Sequence, residues 1–158
     1  MEQLIAFLQE QQADFEIIRH ERSFHTAKEG AEALGIELGQ TAPSLIVKTE
    51  AGFFAVMLSG AGGRLNMNRL KPILGVQQVK LASPVEVEEL TGSKPGDVGL
   101  MQRSLPTVVD KRLFRFRYIF GGTGVPDTTL KIRPEDAVRL NRIAGYLEEE
   151  ANEGRRVD

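Results

Sequence analysis

Two short glycine-bearing segments are the first candidates for chemistry in this sequence. "GSKPGDVGL" spans residues 92–100 and "GGTGVPD" spans residues 121–127. Glycine lets a ligand approach the main chain closely, so backbone N–H groups in such loops can hold an anion or the developing oxyanion of an attacked carbonyl. Glycine and proline also mark ordinary turns, so a purely structural role for both segments stays open.

Three single side chains could add polar chemistry. His20 closes the strand-like run "FEIIRH" and could face a cleft as a hydrogen-bonding or stacking group, or lie on the surface. His25 precedes a predicted helix start, which favours a structural or solvated role. Lys48 lies in the apolar run "SLIVKTE", where a buried lysine would need a partner, although a lysine near a strand end can also extend to solvent.

Several common catalytic strategies are poorly supported. The chain has no cysteine and only two histidines, which predicts no thiolate nucleophile, no disulfide and no metal or other cofactor. It also lacks a Walker-type phosphate loop, a dinucleotide glycine fingerprint and a G-x-S-x-G nucleophile elbow. Phosphoryl transfer, hydride transfer and triad hydrolysis are therefore disfavoured.

Composition predicts a folded cytoplasmic protein. The chain has 158 residues, 41% hydrophobic and 27% charged, which suits one globular domain. It has no apolar run near the roughly 18 residues that span a bilayer, and its first residues do not resemble a signal peptide. The net charge of −2 argues against a broad nucleic-acid surface but not against contact with one RNA end.

The segment "KRLFRFR" is the one candidate RNA contact. It alternates basic and aromatic residues, and Arg112, Arg115 and Arg117 could face RNA from a strand. A half-buried strand with a solvated basic face explains the pattern as well.

Periodicity and caps predict helices and strands that alternate without a regular βαβ repeat. Capping boxes at Thr26/Glu29 and Ser83/Glu86, with Gly35 and Gly92 beyond the ends, delimit two of the helices. The predicted helices span residues 1–12, 27–34, 67–74, 84–91 and 134–150. The predicted strands span residues 15–20, 44–50, 53–60, 76–82, 106–110, 114–120 and 129–133.

The near-continuous apolar character of the central hairpin, residues 44–60, predicts burial on both faces at the centre of the sheet. The expected architecture is a single mixed α/β domain over residues 1–150, built around one largely antiparallel sheet, with residues 151–158 as a frayed tail.

An ordered set of segments carries a family resemblance. These segments are "HTAKEGAEALG", "GQ", "SLIV", "LSG", "VKLASPVEVEELTG", "PG", "LPTVVD" and "GG". In this order they resemble the YbaK/ProX family, the freestanding relatives of the editing domain inserted in bacterial prolyl-tRNA synthetase. The resemblance extends from about residue 13 to 148 and implies a twisted, barrel-like, largely antiparallel sheet flanked by helices.

The resemblance also implies an activity. Family members hydrolyse the ester that joins a wrong amino acid, typically alanine or cysteine, to proline tRNA. This implies the aminoacylated 3′ end of tRNA as a partner, and a prolyl-tRNA synthetase as a possible second one. Such an ester is already activated, so positioning, backbone oxyanion contacts and a water or the substrate's own hydroxyl can suffice.

Carried over by position, the resemblance places the catalytic backbone and the substrate cleft. The catalytic backbone positions are Gly96, Gly121 and Gly122. The substrate-binding positions are His20, Pro43, Ser44, Gly60, Asp97 and Val98.

Two positions depart from the family pattern. Pro43 stands where characterised members have a lysine before "SL" or "TL", and Asp97 stands in a loop where they have glycine. Lys48 is five residues beyond Pro43, and an odd offset along a strand points to the opposite face. The sequence thus favours an editing hydrolase of altered specificity. A non-catalytic binding module of the same fold, or a protein acting on another small acylated molecule, remains an alternative.

Overall fold

The computed structural model describes residues 1–149. The helices are α1 (Glu2–Glu10), α2 (Ala27–Leu34), α3 (Leu70–Leu74), α4 (Pro84–Thr91) and α5 (Pro134–Arg139). The strands are β1 (Phe15–Arg19), β2 (Thr41–Ala42), β3 (Ser44–Thr49), β4 (Gly52–Met57), β5 (Val79–Leu81), β6 (Pro106–Asp110), β7 (Ile119–Gly122), β8 (Thr128–Ile132) and β9 (Arg142–Leu147). The predicted tail, residues 151–158, and the predicted domain boundary at 150 lie outside the described residues.

The strands form two sheets. The first has the order β1-β8-β7-β2, with β8 antiparallel to both neighbours and β2 parallel to β7. The second has the order β5-β3-β4-β6-β9, in which β6 lies parallel to both β4 and β9. The predicted mixed α/β domain is confirmed. The prediction of one largely antiparallel, barrel-like sheet is wrong, since both sheets are mixed and they do not close into a barrel.

The central hairpin is buried on both faces, as predicted. β3 and β4 occupy inner positions of the second sheet, with Ile46 opposite Ala55. On one face Val47 and Val56 pack with Leu70 of α3. On the other face Ile46 and Ala55 belong to a cluster that includes Val87 of α4. Coverage by helices on both sides explains the near-continuous apolar sequence.

A third hydrophobic cluster joins the two sheets. Met57 and Val109 of the second sheet pack in it with Ile119, Leu130 and Ile132 of the first, and all five side chains are almost fully buried. Because close-packed side chains hold their neighbours in place, this cluster fixes the two sheets relative to each other.

The two helices predicted from capping-box patterns are confirmed, but only Ser83 and Glu86 form the reciprocal box, because the Glu29 side chain accepts from the His25 amide instead of the Thr26 amide. The Thr26 hydroxyl accepts a hydrogen bond from the Glu29 amide at 3.0 Å, and the Ser83 hydroxyl accepts one from the Glu86 amide at 3.1 Å. Gly35 ends α2 in the left-handed conformation with φ of 69°, where a side chain would be strained.

The predicted final helix is wrong beyond Arg139. α5 stops there, and residues 142–147 form β9 beside β6. The Asn141 side chain donates to the carbonyls of Ala137 and Leu100 and accepts from the Gln102 amide, which ends the helix. A Cβ on Gly145 would lie 2.5 Å from Ile73 Cγ2, so close packing with α3 fixes β9 in a way that sequence periodicity does not reveal.

Two predicted strands are also shorter than expected. The segment 114–120 is not a strand until Ile119, because residues 111–115 form a 3-10 turn capped by Asp110, whose carboxylate accepts from the Arg112 amide at 2.9 Å. The strand predicted over 76–82 is reduced to β5. Within residues 1–149, no helix has the length and apolar character needed to cross a membrane.

Candidate functional site

A cleft with a cavity volume of about 280 Å³ opens where the first sheet meets the start of the central hairpin. Loop 20–27, the turn at residues 95–98 and the loop before β8 complete its walls. All but one of the predicted site residues lie in this lining. They are His20, Pro43, Ser44, Gly96, Asp97, Val98, Gly121 and Gly122.

Gly60 is the exception. It begins a 3-10 turn after β4 and does not line the cleft. A Cβ at this position would lie 1.9 Å from Thr41 Oγ1 and 2.7 Å from the Leu38 carbonyl oxygen. Gly60 therefore allows the chain after the hairpin to pack against the segment that leads into β2, which is a structural role.

Gly96 is the most open of the three glycines predicted to be catalytic. It lies in the 3-10 turn Pro95–Asp97, in which the Asp97 amide donates to the Lys94 carbonyl at 2.8 Å. The Gly96 amide precedes the first donor of that turn, the Asp97 amide, and has no partner within the turn. A Cβ at Gly96 would meet no atom within 4 Å. Gly96 thus lines the cleft with an amide that has no partner within its turn and with free space beside its backbone.

Gly121 and Gly122 lie in a strand, so the prediction of a loop beginning at 121 is wrong for these two residues. They end β7 and pair with Leu130 and Thr129 of β8. A Cβ on Gly122 would lie 2.4 Å from the Val98 carbonyl oxygen. On Gly121 it would lie 2.5 Å from a Leu100 side-chain atom. These glycines let segment 98–100 lie flat against β7 and form the cleft wall.

His20 is held on three sides. Its Nδ1 lies 2.6 Å from the Arg22 carbonyl oxygen, which can only accept, so Nδ1 carries the hydrogen. Its Nε2 lies 3.0 Å from Thr129 Oγ1. The ring stacks on Phe24 with centroids 4.1 Å apart. His20 therefore links loop 20–27 to β8 by hydrogen bonds. Both ring nitrogens are engaged in these contacts, so neither is available as a general base. His25 is exposed, and its backbone amide donates to the Glu29 carboxylate.

Pro43 is exposed at the point where the chain passes from β2 in the first sheet to β3 in the second. Its carbonyl accepts from the Leu58 amide at 2.9 Å, and proline has no N–H to pair. The family's lysine position thus lies on the cleft, but its proline can neither donate a hydrogen bond nor carry a charge.

Lys48 does not replace that lysine. It lies outside the cleft, with Nζ 2.7 Å from Glu86 Oε2 and 5.7 Å from the centre of the Phe53 ring. Hydrogen bonding from Lys48, followed by the Ser83 backbone amide, lowers the pKa of Glu86 to about 2. The lysine therefore stabilises the start of α4.

Three residues of the cleft lining that were not among the predicted site residues help to shape it. Phe24 supports His20, Thr129 holds its Nε2, and Asp127 lies in the turn before β8 with φ of 60°. Only the register of β1 against β8 brings Thr129 near His20, and no sequence signal gives that register. The left-handed Asp127 fits the "VPD" turn signal, which indicates a turn but not its place in a site.

The arginine-rich segment does not form the predicted RNA-facing strand. Arg112 is buried, and its guanidinium donates to both carboxylate oxygens of Asp110 at 3.1 and 3.0 Å. Arg115 pairs with Glu149, and Arg117 lies over the Tyr118 ring at 5.5 Å. Arg115 and Arg117 are exposed and stay candidates for RNA contact, whereas Arg112 does not.

Comparison with known proteins gives consistent matches. Residues 21–140 match the model of the aminoacyl-tRNA editing domain family. A protein of Escherichia coli strain K12, named multifunctional Ser/Thr-tRNA deacylase ProXp-y, is 30% identical over 145 residues, covering 88% of this chain and 86% of its own. The proline–tRNA ligase of Xanthomonas campestris (strain 8004) is 33% identical over 81 residues, 51% of this chain and 14% of the ligase.

Solved structures share the fold. A crystal structure described as a candidate trans-editing enzyme for prolyl tRNA synthetase has a TM-score of 0.75 and 29% identity, covering 83% of this chain and 85% of the other. The family model covers most of the chain, and the Escherichia coli relative aligns over nearly the whole of it. The chain therefore belongs to the aminoacyl-tRNA editing domain family, in agreement with the YbaK/ProX resemblance of its sequence.

Proposed function

We propose that this chain hydrolyses the ester bond of a mischarged aminoacyl-tRNA. The observation that carries the proposal is the cleft itself, which gathers the Gly96 turn, the end of β7 and the start of β3 around one cavity. Family membership supports the reaction class, and the backbone N–H of Gly96 is the proposed hydrogen-bond donor for the reaction. The ester enters as the aminoacylated 3′ end of a tRNA.

The reaction needs few protein groups. A water attacks the carbonyl carbon and passes its proton to the neighbouring ribose hydroxyl, which gives up its own proton in a relay, and a tetrahedral oxyanion forms. The bond from carbon to the esterified ribose oxygen then breaks, the relayed proton goes to that oxygen, and the free amino acid and the free ribose hydroxyl are released. The Gly96 N–H stabilises the oxyanion, since a preorganised donor is most effective where charge develops. Gly121 and Gly122 keep the facing wall flat enough to admit the ester.

His20 acts as a positioning residue in this proposal. Its bonds to the Arg22 carbonyl and to Thr129 hold the loop that forms one wall, so the cleft is preformed before substrate arrives. Preformed geometry lowers the entropy lost on reaching the transition state.

The size of the cleft favours a small amino acid. Its volume of about 280 Å³ is near the lower end of ligand pockets, about 300–1,000 Å³. The sequence resemblance implies alanine or cysteine on proline tRNA, while the Escherichia coli relative is named for serine and threonine. We include all four amino acids in the proposed substrate class. Action in trans on the product of a prolyl-tRNA synthetase is part of the same proposal.

A second candidate is a binding module that holds the aminoacylated 3′ end without turnover. Pro43 favours it, because the exposed proline cannot supply the hydrogen bond or charge of the relatives' lysine. The two candidates differ in one measurable quantity, the rate of amino acid release.

The test is deacylation of the twenty aminoacyl-tRNAs, together with proline tRNA mischarged with alanine, cysteine, serine or threonine, by wild type and by Pro43→Lys. Release by wild type at well above the spontaneous rate supports the hydrolase. No deacylation by wild type, together with deacylation by Pro43→Lys, would favour the binding module. No deacylation by either protein across the twenty aminoacyl-tRNAs would reject the hydrolase proposal.

A further inference from the structure

The charge of the cleft lining is distinctive. Within the described part of the chain, the lining contains the carboxylates of Asp97 and Asp127 but no lysine or arginine. The only other titratable side chains lining it are His20 and His25. Such a cleft favours a cationic ligand group over an anionic one. A tRNA phosphate is therefore poorly suited to its interior.

Asp97 is the better placed of the two carboxylates. It is half-buried, whereas Asp127 is exposed at the rim. Its backbone amide donates a hydrogen bond to the Lys94 carbonyl. No ion pair to its carboxylate is seen among residues 1–149. A partly desolvated carboxylate gains most from a charged donor. The open space beside Gly96 leaves room for one.

The substrate class offers one matching group. An aminoacyl ester carries a single positive charge, the α-ammonium, on the carbon next to the carbonyl that is attacked. Groups that bind the oxyanion and the ammonium must therefore be close neighbours. Gly96 and Asp97 are consecutive residues of one turn that lines the cleft, so this turn supplies both a backbone N–H and a carboxylate.

We propose that Asp97 binds the α-ammonium of the aminoacyl group and so restricts this cleft to esters with a free amine, excluding N-acylated and peptidyl esters. The inference rests on the proposed function for its ligand. It assigns Asp97 a specificity role that the glycine of the characterised family members cannot fill.

The test uses binding, so that it does not depend on turnover. The probes are 3′-deoxy-3′-(L-alanylamino)adenosine, whose amide cannot be hydrolysed by this reaction, and its N-acetyl derivative. Calorimetry measures the dissociation constant of each probe for wild type, for Asp97→Asn and for the matched control Asp127→Asn. Asparagine tolerates the left-handed conformation of residue 127, so the control removes a cleft carboxylate without backbone strain.

Wild type is expected to prefer the free amine by about tenfold, the scale of a charged hydrogen bond. Asp97→Asn should abolish that preference with unchanged affinity for the N-acetyl probe, and Asp127→Asn should keep it. The preference should also fall as pH rises through about 8, where an α-amine loses its proton, a range above ordinary histidine titration.

The inference is overturned if wild type does not discriminate between the probes or binds neither of them. It is also overturned if Asp97→Asn retains the preference or if Asp127→Asn loses it equally. Failure of the proposed function looks different: the free-amine preference would be present, but charged tRNA would not be deacylated.

Discussion

The candidate site depends on glycines that have different physical roles. Gly122 has no room for a side chain, because the Val98 carbonyl would lie 2.4 Å from a Cβ. A Cβ at Gly96 would meet no atom within 4 Å. Close packing therefore requires glycine at position 122. At position 96, glycine leaves the backbone accessible to a ligand. Their effects on stability and on activity should therefore separate.

We expect Gly96→Ala to keep the free energy of unfolding within about 0.5 kcal/mol of wild type, since the new methyl group meets no protein atom. Its deacylation rate should fall at least tenfold, because the methyl group occupies space needed by the ester. Gly122→Ala should instead destabilise the fold by about 1–3 kcal/mol through overpacking. Urea unfolding and single-turnover deacylation measure both quantities. Full activity in Gly96→Ala would show that this turn does not contact the ester.

At the scale of elements, α4 is held at its start by more than its cap. Lys48 of β3 binds Glu86 at 2.7 Å, and Glu86 also accepts from the Ser83 amide at 2.9 Å. The folded-state pKa of Glu86, about 2, is lower than that of an ordinary glutamate, about 4.3. Its ionised form therefore stabilises the fold above the unfolded pKa, and this contribution is lost as pH falls toward 2.

Glu86→Gln should weaken the dependence of the free energy of unfolding on pH at acidic pH. Glutamine keeps the capping-box hydrogen bond but not the charge, so the variant should lose less stability than wild type between pH 5 and about 2. Chemical denaturation at a series of pH values measures this. The control is Glu89→Gln, an exposed change on the same helix, which should follow the wild-type profile. Identical profiles for Glu86→Gln and wild type would contradict the assignment.

The elements also show what the sequence can and cannot predict. Local signals sufficed for α2 and α4, because the capping hydrogen bonds from the Glu29 amide to Thr26 and from the Glu86 amide to Ser83 join residues only three positions apart. They failed for β9, where the contact of Gly145 with Ile73 decides the structure, and for residues 114–118, where Asp110 stabilises a turn. The cleft residues could be located through the family pattern. Their contacts, such as Thr129 with His20, depend on strand register and could not be predicted.

At the scale of the molecule, a buried ion pair lies beside the chain connection that follows the central hairpin. Asp110 accepts from the Arg112 guanidinium and from the Ser59 amide, linking the end of β6 to the segment after β4. Removing one partner of a buried pair leaves an uncompensated charge. Arg112 therefore contributes to the fold, even though its sequence context resembles an RNA contact.

Arg112→Met should lower the free energy of unfolding by about 3–5 kcal/mol. Arg117→Met, an exposed change two residues beyond the same turn, should alter it by less than about 0.5 kcal/mol. Thermal and urea unfolding of both variants provide the comparison. An Arg112→Met protein of wild-type stability that had lost only tRNA binding would contradict this account.

We propose that the cleft hydrolyses aminoacyl-tRNA although Pro43 occupies the position at which the family resemblance implies a lysine. The most direct measurement is the single-turnover release of alanine, cysteine, serine and threonine from charged proline tRNA by the unmodified protein. We predict release of at least one of these amino acids well above the spontaneous rate. Release at the spontaneous rate from all four charged proline tRNAs, with protein shown to be folded, would contradict the proposed hydrolysis.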